Sequence, residues 1–191
     1  MRSLTVMVLI AACAATLAQA QASATMELAR GRPFVAHGDT YQLLPGISAL
    51  AGNDAISVRL AMDRIGAEAP SQVASRGRYV LYRRGRDQPE ADAALHDVGM
   101  VRVHPAALNT RTGAIGVLLE TIQVRLRNFA ERKAVASAHK LRIDTAFPEQ
   151  QMIYLRVPRG RDILATVAAI AADPRVQSAS PELLDNVRLD P

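Results

Sequence analysis

The sequence predicts an α+β protein of two tandem ferredoxin-like (βαββαβ) units with antiparallel sheets, the first less regular than the second. Two internal similarities indicate this arrangement. Residues 55–60 and 121–126 both place Ile, Val and Leu at alternate positions, which is the period of a strand with one buried face. Residues 84–87 and 159–162 both read Arg-Gly-Arg-Asp, after a β-rich stretch and before an Ala-rich segment.

The N-terminal segment, residues 1–20, is predicted to be a signal peptide. A positive charge precedes an apolar core at residues 4–15, and Ala-Gln-Ala at 18–20 has the small-x-small pattern of a cleavage site. We therefore expect an exported protein, periplasmic or extracellular. Cys13 leaves an alternative open, because Ile-Ala-Ala-Cys resembles a bacterial lipobox and would give a lipoprotein. No later apolar run approaches the roughly 20 residues of a transmembrane helix.

The composition is that of a globular protein. Hydrophobic residues make up 49% and charged residues 21% of the 191 positions, which argues against long disorder and against a collagen-like or disulfide scaffold. The net charge is +5, but only 4% of residues are aromatic and the arginines alternate with apolar residues. This pattern indicates a solvated sheet face, and no nucleic-acid partner is expected.

The first part of the chain is predicted to hold an N-terminal preface and the first repeat. The preface covers residues 21–52 and includes a hairpin around 41–46. The repeat covers residues 53–108 and begins with the strand at 55–60. Its later elements are a short helix near 62–69, a strand at 79–82, a helix with Ala91, Ala94, Leu95 and Val98 on its core face, and a closing strand near 100–103.

The second repeat, residues 114–185, follows a boundary at 109–113. Gly160 permits the turn out of a strand, and Asp162 is placed to cap the next helix. Asp173-Pro174 ends that helix because proline cannot continue it. The predicted elements are a strand at 121–127, a helix at 129–138, strands at 140–145 and 151–157, a helix at 162–172 and a strand at 175–180.

The sequence contains no recognisable catalytic signature. The four histidines do not fall into a metal-ligand spacing, and neither a phosphate-binding glycine loop nor a G-x-S-x-G motif occurs. Residues 37–40, His-Gly-Asp-Thr, are interpreted as a polar loop before a strand. We therefore predict neither an enzyme nor a cofactor or metal. An unrecognised hydrolase remains a third hypothesis, which needs a deep pocket lined by His and carboxylates.

Residues 173–181 carry a family resemblance. A helix ending in Asp-Pro, followed by x-Val-x-x-Ala-x-Pro, resembles the close of the N-terminal propeptide of subtilisin-like serine proteases. Residues 122–127 and 152–162 resemble the earlier part of that module. Residues 32–43 resemble the segment before tandem propeptides. The resemblance implies a βαββαβ fold that assists folding of a subtilisin-like protease and then inhibits it. The family's catalytic motifs do not occur here, so a stand-alone, propeptide-like protein is expected.

The resemblance implies two contacts with the protease, one through the face of the sheet and one through the C-terminal tail. Residues 186–191 form a C-terminal tail that would lie in the active-site cleft as an added strand. The alternative is an envelope protein-interaction module that uses an exposed sheet edge and has no protease partner. The oligomeric state is open. The implied partner-binding residues are Gln123, Arg125, Arg127, Met152, Tyr154 and Arg156 on the sheet, with Asn186, Val187, Arg188 and Leu189 in the tail.

Overall fold

The computed structural model describes residues 31–52, 55–64, 72–76, 79–83, 96–98 and 101–187. This part of the chain forms an antiparallel sheet with α-helices packed against it, which confirms the predicted mixture of helices and antiparallel strands. No helix among the described residues has the length and apolar character needed to cross a bilayer.

The described strands are Pro33–Ala36 (β1), Asp39–Ala51 (β2), Gln72–Arg76 (β3), Tyr79–Arg83 (β4), His96–Val98 (β5), Val101–Asn109 (β6), Ile115–Leu126 (β7), Arg142–Phe147 (β8), Met152–Arg156 (β9) and Val176–Val187 (β10). The α-helices are Ala55–Arg64 (α1), Arg132–Ala138 (α2) and Ile163–Ala171 (α3), with short 3-10 helices at Phe129–Glu131 and Pro148–Gln150.

The long strand β7 joins the two halves of the sheet. The strand order is β3-β4-β2-β6-β7-β9-β8, with β1 beside β2, β5 beside β6 and β10 beside β7. On one edge of β7, residues 115–117 pair with β6 and residues 121–125 pair with β9. Strand β10 pairs with both stretches and therefore runs along the opposite edge. Because β6 and β9 share one edge, they separate from each other near residue 120.

The second half follows the predicted order of elements. Residues 115–187 form a strand, a helical segment, two strands, a helix and a strand, and the strand order here is β10-β7-β9-β8. Each predicted element overlaps the observed one. The largest difference is at β10, which continues to Val187 where the sequence predicted an end near 180.

The second half buries one face of its sheet under α2 and α3. Alternate residues of β7 and β9 point towards the helices, since successive side chains of a strand point to opposite faces. Members of this core that are 0% exposed include Leu118, Ile122, Val124, Leu126, Val135, Ile153, Leu155, Ile163 and Ile170.

Asp162 caps α3 as the sequence predicts. Its Oδ1 accepts a hydrogen bond from the backbone N–H of Ala165 at 2.9 Å. The preceding Gly160 has a φ of 72°, a left-handed conformation that glycine adopts without a steric penalty. The other carboxylate oxygen of Asp162 pairs with Arg32, so the cap also ties the N-terminal strands to α3.

Replacing Asp162 with alanine should lower the free energy of unfolding by about 1 kcal/mol, because a helix N–H loses its acceptor. The Arg32→Ala variant is the matched control, since it removes the exposed ion pair but keeps the cap. Its loss should stay below about 0.5 kcal/mol. Urea unfolding of both variants measures the difference, and equal losses would show that Asp162 acts through the ion pair and not through the cap.

The first half does not repeat the second, and the predicted strand at 55–60 is wrong. Residues 55–64 form the helix α1. Val58 and Ala61 are buried, whereas Ile56 is 73% and Leu60 is 56% exposed. The buried residues therefore follow helical spacing, and three alternating apolar residues were too few to distinguish a strand from a helix. The tandem ferredoxin-like arrangement is thus not confirmed.

Of the other elements predicted for residues 53–108, two strands are confirmed and one helix assignment is wrong. Strand β4 matches the predicted strand at 79–82, and β6 covers the predicted closing strand. Val98 lies in strand β5 and not on a helix face, so that assignment is wrong. Ala91, Ala94, Leu95 and the Arg-Gly-Arg-Asp stretch at 84–87 lie outside the described residues.

The predicted preface supplies a central strand of the sheet. Strand β2 lies between β4 and β6 and runs through residues 41–46, so the predicted hairpin there is wrong. The pairing with β6 shifts register between Leu43 and Ser48, a stretch that contains Pro45. A proline lacks the N–H that a ladder needs and is tolerated at such an irregularity.

The turn that joins β1 and β2 is formed by His37 and Gly38, with φ values of 51° and 83°. A two-residue hairpin turn with two positive φ angles is type I′, which matches the twist of the flanking strands. The predicted polar loop at residues 37–40 is therefore confirmed in part, because the turn consists of His37 and Gly38 and β2 begins at Asp39.

The predicted boundary at 109–113 is a tight turn between β6 and β7. Asn109 Oδ1 accepts hydrogen bonds from the backbone N–H groups of Arg111 and Thr112, both at 3.0 Å. The Arg111 guanidinium donates two bonds of 2.8 Å to Asp39. These bonds, with one from Asn109, lower the pKa of Asp39 to about 2.

Asp173 joins the ends of both second-half helices. It accepts 2.8 and 2.6 Å bonds from the Arg175 guanidinium, and His139 Nε2 lies 3.1 Å from its Oδ2. Although Asp173 is only 9% exposed, the Arg175 guanidinium holds the pKa of this carboxyl well below its usual range. The charged form of Asp173 therefore stabilises the fold.

The stabilisation by Asp173 should depend on pH in a defined direction. A carboxyl whose pKa is lowered by folding stabilises above its unfolded pKa of about 3.9 and loses that effect as the pH falls towards the folded value. We expect Asp173→Asn to unfold more easily than wild type by about 1 to 3 kcal/mol at pH 6.

The difference between wild type and Asp173→Asn should shrink as the pH falls from about 4 towards 2. Asp39 titrates in the same acidic range but is present in both proteins, so its effect cancels in the comparison. Urea unfolding at several pH values measures the difference, and a gap that does not change with pH would contradict this role of Asp173.

Candidate protein-binding surface

The second half leaves one face of its sheet uncovered by the described helices. Strand pairing places Thr121 opposite Arg156, Gln123 opposite Tyr154 and Arg125 opposite Met152. These residues alternate with the core residues of β7 and β9, so they point away from α2 and α3. Strand β8 extends the same face through Phe147, which pairs with Met152. We call this surface the outer face, and its members are Thr121, Gln123, Arg125, Phe147, Met152, Tyr154 and Arg156.

The structure brings together most of the sheet residues that the sequence selected. Gln123, Arg125, Met152, Tyr154 and Arg156 all lie on the outer face. Arg127 is exposed and lies just beyond the end of β7, where its backbone N–H donates to the carbonyl oxygen of Arg175 at 3.0 Å.

Met152 is a buried member of the outer face and offers little surface to a partner. The side chain is 7% exposed, and Gln123 Nε2 donates to its Sδ at 2.7 Å. A flexible thioether fills the space under larger neighbours well. The accessible part of the surface therefore lies on the surrounding side chains.

An aromatic pair, Phe147 and Tyr154, lies on the outer face, and the sequence pattern indicated only Tyr154. Phe147 is 41% exposed, and its ring meets that of Tyr154 edge to face with a centroid distance of 5.9 Å. Exposed aromatic side chains are enriched among the residues that dominate protein interfaces. Phe147 was missed because the predicted strand stopped at 145. The signal that could have found it is a lone Phe among polar residues at the end of a strand.

Arg156 is held in place by carboxylates. Its Nη1 lies 2.8 Å from Glu120 and its Nη2 lies 2.7 Å from Asp144. Charge-assisted bonds of this kind fix the direction of a guanidinium. The outer face therefore combines an aromatic centre with an oriented cation at one end.

Strand β8 forms an edge of the described sheet. Within the described ranges it pairs with β9 alone, and most of its side chains are exposed. An edge strand presents unpaired N–H and C=O groups that can pair with another chain. This edge is the feature that the alternative interaction-module hypothesis requires.

The predicted tail begins later than the sequence indicated. Strand β10 includes Asn186 and ends at Val187, which pairs with Ile115 of β7. These two residues therefore belong to the sheet, at least through their backbone. Arg188 and Leu189 lie outside the described residues, so their predicted role as a cleft-binding strand stays a prediction.

Three histidines of the described ranges have side chains in structural surroundings, and His96 lies in β5, where it pairs with Val103. His104 is buried, with Nδ1 2.9 Å from the carbonyl oxygen of Leu118 and its ring edge to face with Tyr79. His37 lies in the β1–β2 turn, and His139 contacts Asp173. In the part of the chain that the structure describes, His, Cys, Asp and Glu form no group of three or more suited to a metal ion.

Two clefts of the described residues also differ from what a hydrolase needs. One is lined mainly by arginine and lysine, and the other mainly by apolar residues between β1 and α3. The described residues that line them include no histidine.

The sequence of this chain matches the model of a known protein family. Residues 67–188 match the family described as the Open reading frame 2 N-terminal domain, and this match covers more than half of the chain. The chain therefore belongs to that family. No curated protein matches the sequence.

A search of solved structures finds a chain from the crystal structure of the Aeromonas sobria serine protease (ASP) and the chaperone (ORF2) complex. The two chains share 16% sequence identity with a TM-score of 0.37. The match covers 51% of this chain and 99% of the matched chain.

Proposed function

We propose that this protein is exported and acts on a subtilisin-like serine protease, whose folding it assists and whose activity it then inhibits. The protein has no catalytic role of its own in this proposal. The observation that carries it is the outer face, a sheet surface with an aromatic pair that the described helices leave uncovered. Membership of the Open reading frame 2 family supports it, since the chaperone named in the Aeromonas sobria complex has the same designation.

The outer face is the proposed docking surface for the protease. Tyr154 and Phe147 supply the apolar centre, and Gln123 and Arg125 supply polar groups beside them. Such a centre excludes water while the surrounding polar groups fix the orientation of the partner. The residues after Val187 would then extend into the active-site cleft, as the propeptide resemblance implies.

Binding and refolding assays test the proposal. Residues 21–191 are titrated against a panel of secreted subtilisin-like proteases, and both substrate hydrolysis and the refolding yield of denatured protease are measured. We expect slower hydrolysis or a higher refolding yield at about micromolar concentration, within the range of specific protein complexes. The absence of both effects across the panel would contradict the proposal.

A second candidate function is an interaction module that adds a partner strand to β8. The unpaired outer edge of β8 within the described sheet favours it. In this case the residues after Val187 take no part in binding.

Deleting residues 188–191 separates the two candidates. Deletion should weaken inhibition of the protease by about 10-fold or more, because the main-chain pairing of an added strand is lost. Binding through β8 should change by less than about 2-fold. The deletion leaves β10 intact, so unchanged thermal unfolding provides the control. Unchanged inhibition would favour the edge of β8.

A further inference from the structure

A basic cleft opens near residue 120 of β7, where β6 and β9 separate from each other. Its volume is about 570 Å³. Arg102 of β6, Glu120 of β7 and Arg156 of β9 line its inner part. Lys140, Arg142 and Arg159 line its outer part, so five cations and one carboxylate line the cleft.

Glu120 and the neighbouring Asp144 offset only part of the positive charge of the cleft. Asp144 lies 2.7 Å from Arg156 Nη2 and 4.0 Å from Arg142 Nη2, so two carboxylates face five cations. One carboxylate oxygen of Glu120 pairs with Arg102, and the other lies 2.8 Å from Arg156 Nη1. A carboxylate shared by two guanidinium groups offsets only part of their charge. At the outer part, the Arg142 side chain is 74% exposed and Lys140 is also exposed. Clefts lined by charge of one sign concentrate ligands of the opposite sign.

We propose that this cleft binds an acidic peptide segment, through the carboxylates of its Asp and Glu side chains. A volume of this size accommodates a short peptide segment. Arginine forks match carboxylates in geometry, and Val157 and Pro158 add an apolar wall. Among the described residues no aromatic side chain lines the cleft, so this lining lacks the stacking surfaces on which nucleic-acid bases bind.

The cleft is continuous with the outer face, and this suggests the source of the peptide. Arg156 belongs to both surfaces, because it lines the cleft and lies opposite Thr121 on the outer face. A partner docked on the outer face would therefore reach the cleft with an adjoining segment. The choice of the protease as donor of that segment rests on the function proposed above.

The first test uses hexaglutamate as the probe and does not need the protease. The full chain is titrated with this peptide, and binding is followed by amide chemical shifts. We expect shifts at residues 140–142 and at Arg156, Val157 and Arg159, since Pro158 has no amide N–H. The Lys140→Glu/Arg142→Glu variant should bind about 10-fold more weakly or worse, since two attractive charges become repulsive. The matched control is Arg64→Glu/Lys133→Glu, which changes the net charge equally at exposed sites that do not line the cleft. The control should change affinity by less than about 2-fold.

Each alternative outcome overturns the cleft proposal. No hexaglutamate binding, or equal weakening in both variants, would show that the cleft is not the site. Inorganic phosphate that competes as strongly as the peptide would indicate a simple anion site. A duplex oligonucleotide that competes more strongly would indicate nucleic acid.

A second test uses the protease identified by the binding panel. The cleft variant should weaken its binding by a factor similar to that for hexaglutamate. If no protease binds while hexaglutamate does, the proposed function fails and the cleft proposal stands. If the protease binds both variants equally, the cleft takes its peptide from another source.

Discussion

Replacing Phe147 and Tyr154 together with alanine should weaken binding of the protease by about 100-fold. Paired aromatic side chains at the centre of an interface each contribute on the order of 1 to 2 kcal/mol, and their loss also removes the edge-to-face contact. Calorimetric or surface-based titration of the variant and wild type measures the change.

The matched control replaces Ile56 and Leu60 with alanine. Ile56 and Leu60 are more exposed than Phe147, but they lie on the helix α1 and not on the outer face. We expect their loss to leave binding within about 2-fold of wild type. Thermal unfolding of both variants shows that each remains folded. An aromatic variant that is folded and binds as tightly as wild type would remove the outer face from the interface.

Replacing Ile122 with alanine should lower the free energy of unfolding by about 3 to 4 kcal/mol. Ile122 is 0% exposed and lies in the core between β7, β9 and the two helices. Its truncation loses buried apolar surface and leaves a cavity that the packed neighbours fill only in part. A domain stabilised by about 5 to 15 kcal/mol would lose much of its stability.

Ile56→Ala is the control for this prediction as well. Ile56 is 73% exposed, so its truncation should change the free energy of unfolding by less than about 0.5 kcal/mol. Urea unfolding measures both variants. A loss below about 1 kcal/mol for Ile122→Ala would mean that β7 is not buried under the helices as described.

The second half of the fold could be predicted from local signals. Asp162 caps α3, and Pro174 follows its end, because capping and helix termination depend on neighbouring residues alone. The outer-face residues of β7 and β9 could also be predicted, since alternation with a continuous buried stripe determines which face a side chain takes.

The first half could not be predicted in the same way. Residues 55–60 fit both a strand and a helix, and only the tertiary contacts of Val58 and Ala61 decide between them. Strand β2 owes its central place to pairing with β4 and β6, which are distant in sequence. Phe147 lies on the outer face because it pairs with Met152 of β9. The basic cleft forms where β6 and β9 separate from each other. None of these long-range relations has a local signature.

Amide hydrogen exchange of the complex between this protein and a subtilisin-like protease tests the outer face most directly. We expect the protease to slow exchange in β8 and β9, and in residues 123–125 of β7, while α1 and β4 exchange at the rate of the unbound protein. Slowed exchange confined to the first half of the sheet, with β8 and β9 unaffected in a complex that has formed, would contradict the proposed docking surface.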